Sequence, residues 1–359
     1  MMYVTFIIAV MAGTATSLWK GTGGGMDPQP QGQPELAKLD KELVVIRTYN
    51  PSESMKARFQ RIISELYDRE VIISTTEHLD KGVYLTSNED GTLREHPRQM
   101  PEEYYVPMMQ REAQGHAELI KEFGSRVFVF TDEMVDEKFP TLRALPKLPM
   151  HLYDDPRYGP QWYDAPYGKL FFNEAMRMAI DQYTERTGLI PNKGAWMIVD
   201  DVEYTGNWKD LLDRYNLQGL NATRFEEQGG VLVSADNKPS PWTKELFWNP
   251  FTSDAFKKNY VKNGTVYKHT EQVVYYSNRF LQVLNEAMHN GVHAQSEIGT
   301  GSICKWNQCQ RFNFSYRHDL ANSGHFTNHV ASINPLEAKA YLEELWNRGE
   351  ARLVHPCKW

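Results

Sequence analysis

The sequence predicts an α/β fold in which a mostly parallel sheet is flanked by helices, and three observations lead there. Residues 43–49 (LVVIRTY) and 70–75 (EVIIST) are short β-branched runs of the kind that parallel sheets bury on both faces. Between them Met55, Phe59, Ile62, Ile63 and Leu66 recur at helical spacing. A strand, helix, strand unit of this kind closes as a parallel pair through a right-handed crossover. Two later apolar runs, 126–130 (RVFVF) and 195–199 (AWMIV), lead into acids, at Asp132 and Glu133 and at Asp200 and Asp201.

The remaining elements follow in order. Residues 169–186 carry Leu170, Phe171, Ala175, Met178, Ala179 and Tyr183 in a helical pattern suited to covering one sheet face. A third parallel-type strand is predicted at 230–234. Beyond about residue 235 the chain changes character, since 237–249 holds two prolines and two tryptophans. A strand at 271–276, a helix at 277–289 capped by Ser277 and a last helix from Pro335 to about Trp346, capped by Asn334, complete the prediction. Residues 140–167, with seven prolines or glycines among aromatics, read as an irregular loop near a ligand site.

The 359 residues divide into three parts by composition. Residues 1–19 hold no charge from Tyr3 to Trp19, and their apolar stretch falls short of the roughly 20 residues of a membrane span. With Gly13, Ala15 and Ser17 following it, this segment reads as an export signal, either a cleaved signal peptide or a signal anchor. Residues 20–40, rich in Gly, Pro and Gln, have no apolar period and read as a flexible stem. Residues 41–359 are then one enlarged domain. A net charge of −7 argues against coating nucleic acid, which requires a basic excess. Three Asn-x-Ser/Thr sequons, at Asn221, Asn263 and Asn313, are candidate glycosylation sites in an exported chain. Of the three cysteines, Cys304 and Cys309 can bind zinc with His318 or form a disulfide; the oxidising compartment makes the disulfide the simpler reading and leaves Cys357 over.

The sharpest chemical feature is the run from Trp196 to Glu203, a buried strand ending in the three carboxylates of Asp200, Asp201 and Glu203. In open α/β sheets ligands sit beyond the carboxyl ends of the strands. Neighbouring acids repel unless a cation neutralises them, and hard carboxylate oxygens suit Mg²⁺ or Mn²⁺ with substrate phosphates completing the shell.

A first strand bearing Arg47, a later strand running into Asp200, Asp201, Val202 and Glu203, and then Tyr204 to Trp208 together resemble a GT-A type glycosyltransferase. The likeness spans roughly residues 43–330 in element order. It implies a Rossmann-like GT-A sheet in a single enlarged domain, and a divalent metal that bridges the diphosphate of a nucleotide-sugar donor. Asp201 and Glu203 would hold that metal as an Asp-x-Glu variant, with Asp200 on the approaching strand. Arg47 and Thr48 fall where the family's first strand meets the nucleotide, Asp132 at a second strand-end acid position, and Glu297 where an acid serves as base or acceptor binder. His325 or His329 would complete the metal shell, with His329 taken as the ligand. Trp162, Tyr163, Tyr167, Trp242, Trp248 and Trp306 suit stacking on sugar rings or ordinary core packing. The implied activity is transfer of a sugar to a glycan, protein or lipid hydroxyl in the secretory pathway, by a Golgi type II membrane protein or a secreted one. Two other readings compete. A metal-dependent hydrolase would bring His269, His293 or His329 onto Asp200 and Asp201, and a secreted, non-catalytic carbohydrate-binding or interaction protein would turn those acids away from any cleft.

Overall fold

A computed structural model of the chain describes residues 36–48, 51–77, 84–87, 93–96, 102–145, 153–155, 159–161, 172–215, 227–234, 237–242, 252–314 and 335–354. Its centre is a seven-stranded sheet. In chain order the sheet strands and the helices are β1 (Leu43–Thr48), α1 (Glu53–Glu65), β2 (Glu70–Glu77), α2 (Glu102–Phe123), β3 (Val127–Thr131), α3 (Asp132–Lys138), α4 (Phe172–Thr187), β4 (Ala195–Val199), α5 (Trp208–Arg214), β5 (Val231–Ser234), α6 (Asp254–Tyr260), β6 (Val273–Tyr276), α7 (Asn278–His289), α8 (Ser296–Trp306), β7 (Gln310–Asn313) and α9 (Pro335–Asn347). The spatial order is β7-β5-β6-β4-β1-β2-β3.

The strand, helix, strand unit forms as the sequence predicts. β1 pairs with β2 in parallel, β2 with β3 and β1 with β4 likewise, so four parallel strands make one half of the sheet. Side chains along β1 alternate between two cores. Leu43 and Val45 pack with α4 and α7, while Val44 and Ile46 pack with α1 and α5. Both faces are therefore covered by helices, which is why these strands read as unbroken apolar runs.

The second half of the mostly parallel sheet holds its one antiparallel strand. β6 runs antiparallel to both β4 and β5, and it separates β5 from β4. β5 pairs in parallel only with β7. A run of four apolar residues such as Val273–Tyr276 carries no directional information, so its sense is set by tertiary packing. The stretch read as an irregular loop contains a short antiparallel ladder, Tyr153–Asp155 with Gly159–Gln161. The sequence does not predict helix α8, because Gly299, Thr300, Gly301 and Ser302 are poor helix formers. Burial compensates: these small residues let α8 lie against the strand Thr265–His269, where a side chain at Gly301 would strike the Tyr267 carbonyl. Among the described residues no helix is long and apolar enough to cross a membrane, and residues 1–35 lie outside them.

The start of α7 ties β6 to its neighbour β5. The Ser277 hydroxyl accepts the N–H of Phe280 at 3.3 Å as the helix cap, and the N–H of Val231 at the head of β5 at 2.8 Å. Gly230 reaches it with φ +90°, and a Cβ there would lie 2.5 Å from both the Ser277 hydroxyl and the Phe280 nitrogen. Replacing Ser277 with Ala removes the cap and strands a buried N–H, so we expect a loss of about 2–3 kcal/mol in unfolding free energy, read by urea denaturation.

Candidate functional site

The winding of the chain sets where a ligand can bind. From β1 the chain passes through α1 to β2 on one side, whereas β4 lies on the other side of β1. The carboxyl ends of β1 and β4 thus flank a switch point, the position where a crevice opens in doubly wound sheets. Four of the residues singled out in the sequence lie at these two strand ends. Thr48 donates to the Asp200 carboxylate at 2.8 Å, Arg47 is buried beside them, and Asp201 follows in the turn, half-buried.

Arg47 is 5% exposed, its Nε and Nη1 have no hydrogen-bond partner among the described residues, and its guanidinium lies 5.0 Å from the ring centre of Phe172 at the start of α4. Burial pulls its pKa down to about 10, against the opposing charges of Asp200 and Glu271 and the Tyr276 phenol, so it remains a cation near neutral pH. A buried cation with unused donors is costly and is suited to an anion that brings acceptors with it.

Glu203 has a different setting. Its two oxygens accept from Arg58 Nε at 2.9 Å and Arg61 Nη1 at 2.8 Å, both from α1. Arg58 also donates to the Asp200 carbonyl at 2.6 Å, and Arg61 to the carbonyls of Tyr204 and Gly206. A cation at Glu203 would have to displace two guanidinium groups. The carboxylate expected as a metal ligand is therefore engaged as the anchor of the strand-end turn. Arg58 and Arg61 passed unnoticed in the sequence, although their spacing of three places both on one helix face.

Glu297, at the first turn of α8, enters the site together with residues the sequence reading left aside. Its N–H donates to Gln295 Oε1 at 2.9 Å, and its carbonyl faces His269 Nδ1 at 3.2 Å. Gln295 Nε2 donates to Glu271 Oε1 at 3.2 Å. Glu271 is 6% exposed, and burial reinforced by the charge of Glu297 holds its pKa well above the usual carboxylate range, with Gln295 and Arg47 opposing. Burial pushes His269 down to about 4, so it is neutral at physiological pH. The residues 269–271 (HTE) and 295–297 (QSE) are two short polar clusters whose burial the sequence does not signal.

Other expected site residues lie elsewhere. Asp132 opens α3 after β3, an edge strand separated from β1 by β2, and so stands roughly 10 Å or more from β1 by strand spacing. His329, His325 and His318 lie outside the described residues, as do Trp162, Tyr163, Tyr167 and Trp248. His293 is fully engaged, its Nδ1 on Glu174 Oε1 at 2.8 Å and its Nε2 on the Thr141 hydroxyl at 2.7 Å, so the hydrolase arrangement is not met at that residue. Among the described residues no group of three or more His, Cys, Asp or Glu is gathered to hold a metal. Trp306 is partly exposed and meets Tyr267 edge-on at 6.2 Å. Cys304 and Cys309 form a disulfide, and the zinc alternative falls. Asn263 is exposed in a turn at φ 51°, Asn313 ends β7, and Asn221 lies outside the described residues.

No protein-family model and no curated protein matches the chain. Replacing Glu203 with Ala leaves buried Arg58 without its carboxylate, so a loss of about 3–5 kcal/mol is expected in chemical denaturation. An exposed carboxylate would cost under about 1 kcal/mol, and that result would remove its anchoring role.

Proposed function

We propose that the protein is a GT-A type glycosyltransferase that moves a sugar from a nucleotide-sugar donor to a hydroxyl acceptor in the secretory pathway. The observation that carries this reading is the switch-point pairing of Thr48 with Asp200 beside a buried arginine whose Nε and Nη1 lack partners. A diphosphate is the anion that fits, because its oxygens accept from a guanidinium in fork geometry while its remaining charge calls for a second cation. Asp201, with Asp200 beside it, would hold that cation, Mn²⁺ or Mg²⁺. One or two carboxylates plus substrate phosphates are a normal shell for such ions. When bound, the ion supplies Lewis-acid stabilisation of the leaving diphosphate. Arg47 holds a phosphate oxygen and keeps its charge in a dry setting where each interaction counts for more than in water. Glu297, held from both sides of its backbone, accepts the acceptor's proton if the reaction inverts configuration. The Cys304–Cys309 disulfide and the exposed Asn263 sequon support a chain that enters the secretory pathway.

Two measurements test this. A thermal-shift panel of UDP-, GDP- and CMP-linked sugars with Mn²⁺ is expected to reveal one nucleotide class that stabilises the protein, by about 2.7 kcal/mol at a hundredfold excess over Kd. Asp201→Ala is expected to abolish the metal-dependent part of that shift and of donor turnover. Unchanged metal-dependent donor hydrolysis in Asp201→Ala would remove the metal assignment, and no shift with any nucleotide would favour the non-catalytic binding protein.

A further inference from the structure

The far end of α8 carries a charged and aromatic surface of its own. The helix begins at the proposed site with Glu297 and finishes at Lys305 and Trp306, both exposed, roughly 14 Å further along at the rise of an α-helix. Beside that end lie Tyr267, in the middle of the strand Thr265–His269, and Arg311, in the edge strand β7. One phenol ring gathers the group. The Arg311 guanidinium lies 4.7 Å from the centre of the Tyr267 ring and the Lys305 ammonium 5.6 Å, while the Trp306 indole meets the same ring edge-on at 6.2 Å. Trp306 is 40% exposed, so much of its indole faces solvent.

The fold holds these residues in place. The Ser302 hydroxyl accepts the N–H of Tyr267 at 2.9 Å, which fixes the strand to α8. The Cys304–Cys309 disulfide joins the end of α8 to the residue before β7, and the Cys309 N–H donates to the Cys304 carbonyl at 3.0 Å. A surface fixed in this way has little ordering entropy left to lose on binding.

Packing alone does not account for the charges. Among the described residues neither cation has a carboxylate partner, and Arg311 Nη1 is buried without an acceptor. Burial lowers the Arg311 pKa from its ordinary value, and the group opposing it is the Tyr267 phenol rather than an acid. Two like charges over one ring repel, and the attraction of a ring is a weak substitute for a counter-ion. The whole chain carries a net charge of −7, so two uncompensated cations here run against its overall balance. An anion supplies what is missing, acceptors for the guanidinium and charge for the ammonium.

We propose that Tyr267, Lys305, Trp306 and Arg311 form a binding surface for an acidic saccharide, one that carries carboxylate or sulfate groups on its rings. The C–H face of a sugar stacks on Trp306 while its anionic group meets Arg311 and Lys305. An acidic peptide would satisfy the cations and leave the indole without a role. The surface is continuous with the proposed site, because His269, two residues beyond Tyr267, meets the Glu297 carbonyl. For one step the proposal rests on the transferase reading: an acceptor chain anchored at this surface runs along α8 to Glu297, which makes the acceptor an acidic glycan.

The test is calorimetric titration of the full chain with a heparin hexasaccharide, an oligogalacturonate, neutral maltohexaose and polyglutamate, at low and high salt. Binding is expected for the sulfated or the carboxylated oligosaccharide, weaker at high salt, with none for maltohexaose. Arg311→Gln is expected to weaken that binding about tenfold, the loss of a charge-assisted hydrogen bond, and Lys305→Gln to weaken it less. Trp306→Ala, a change at an exposed position that leaves the melting temperature in place, is expected to weaken the oligosaccharide and not polyglutamate. Absence of binding by either acidic oligosaccharide overturns the proposal, as does binding that all three variants leave unchanged. Polyglutamate bound as tightly as the oligosaccharides, with no effect of Trp306→Ala, overturns the saccharide assignment. Stabilisation by a nucleotide sugar without oligosaccharide binding removes this surface alone. Oligosaccharide binding that the variants weaken, with no response to any nucleotide sugar, removes the transferase reading and leaves the surface standing.

Discussion

The ion pairs of Glu203 with Arg58 and Arg61 are the interaction on which the strand-end site depends. β4 delivers Asp200 and Asp201 to the strand ends beside β1, and neighbouring acids there repel unless the turn that carries them is tied. Both arginines come from α1, the crossover helix between β1 and β2, and they donate to the backbone of the turn as well as to Glu203. A buried carboxylate between two guanidinium groups gains from charge-assisted hydrogen bonds what it loses in hydration. One crossover helix therefore supports the first strands of the sheet and positions the acids after β4.

The second constraint is electrostatic. Beside the strand ends lie a buried cation, Arg47, and buried or half-buried acids from three parts of the chain, Asp200, Glu271 and Glu297. Among the described residues the arginine keeps two nitrogens, and Glu271 one oxygen, without a hydrogen-bond partner. Unsatisfied groups of this kind are expensive in a fold and recur where a ligand or a reaction uses them. The antiparallel β6 contributes to this, since the chain enters it beside the carboxyl end of β4. The Gln272 carbonyl accepts the N–H of Val199, so Glu271 arrives at the same edge of the sheet.

Much of the architecture was legible in the residues. LVVIRTY, the helical spacing from Met55 to Leu66, and Ser277 as a cap each state a local preference that the tertiary structure does not oppose, and α1, β1, β2 and α7 lie where those signals put them. Where tertiary contacts decide, the sequence was silent or misleading. The sense of β6 is fixed by its neighbours, and α8 exists despite two glycines because it is buried against a strand. Glu203 was grouped with Asp201 by sequence proximity. The Val202 N–H returns to the Val199 carbonyl at 3.3 Å, and the resulting turn redirects the chain so that Glu203 meets α1. Arg47, Thr48 and Asp200 lie together because the ends of neighbouring strands at a switch point must do so, whereas Glu271 had no comparable rule to reveal it.

The central claim is that an anionic nucleotide binds at the carboxyl ends of β1 and β4. Amide hydrogen exchange on the full chain, with and without Mn²⁺ and the stabilising nucleotide sugar, tests it most directly because it locates the ligand without assuming a reaction. The account predicts added protection confined to residues 44–48, 199–204 and the neighbourhood of Glu271 and Glu297. Protection placed instead on the antiparallel pair Asn237–Pro241 and Thr265–His269 with β7, with none at the two strand ends, would contradict it.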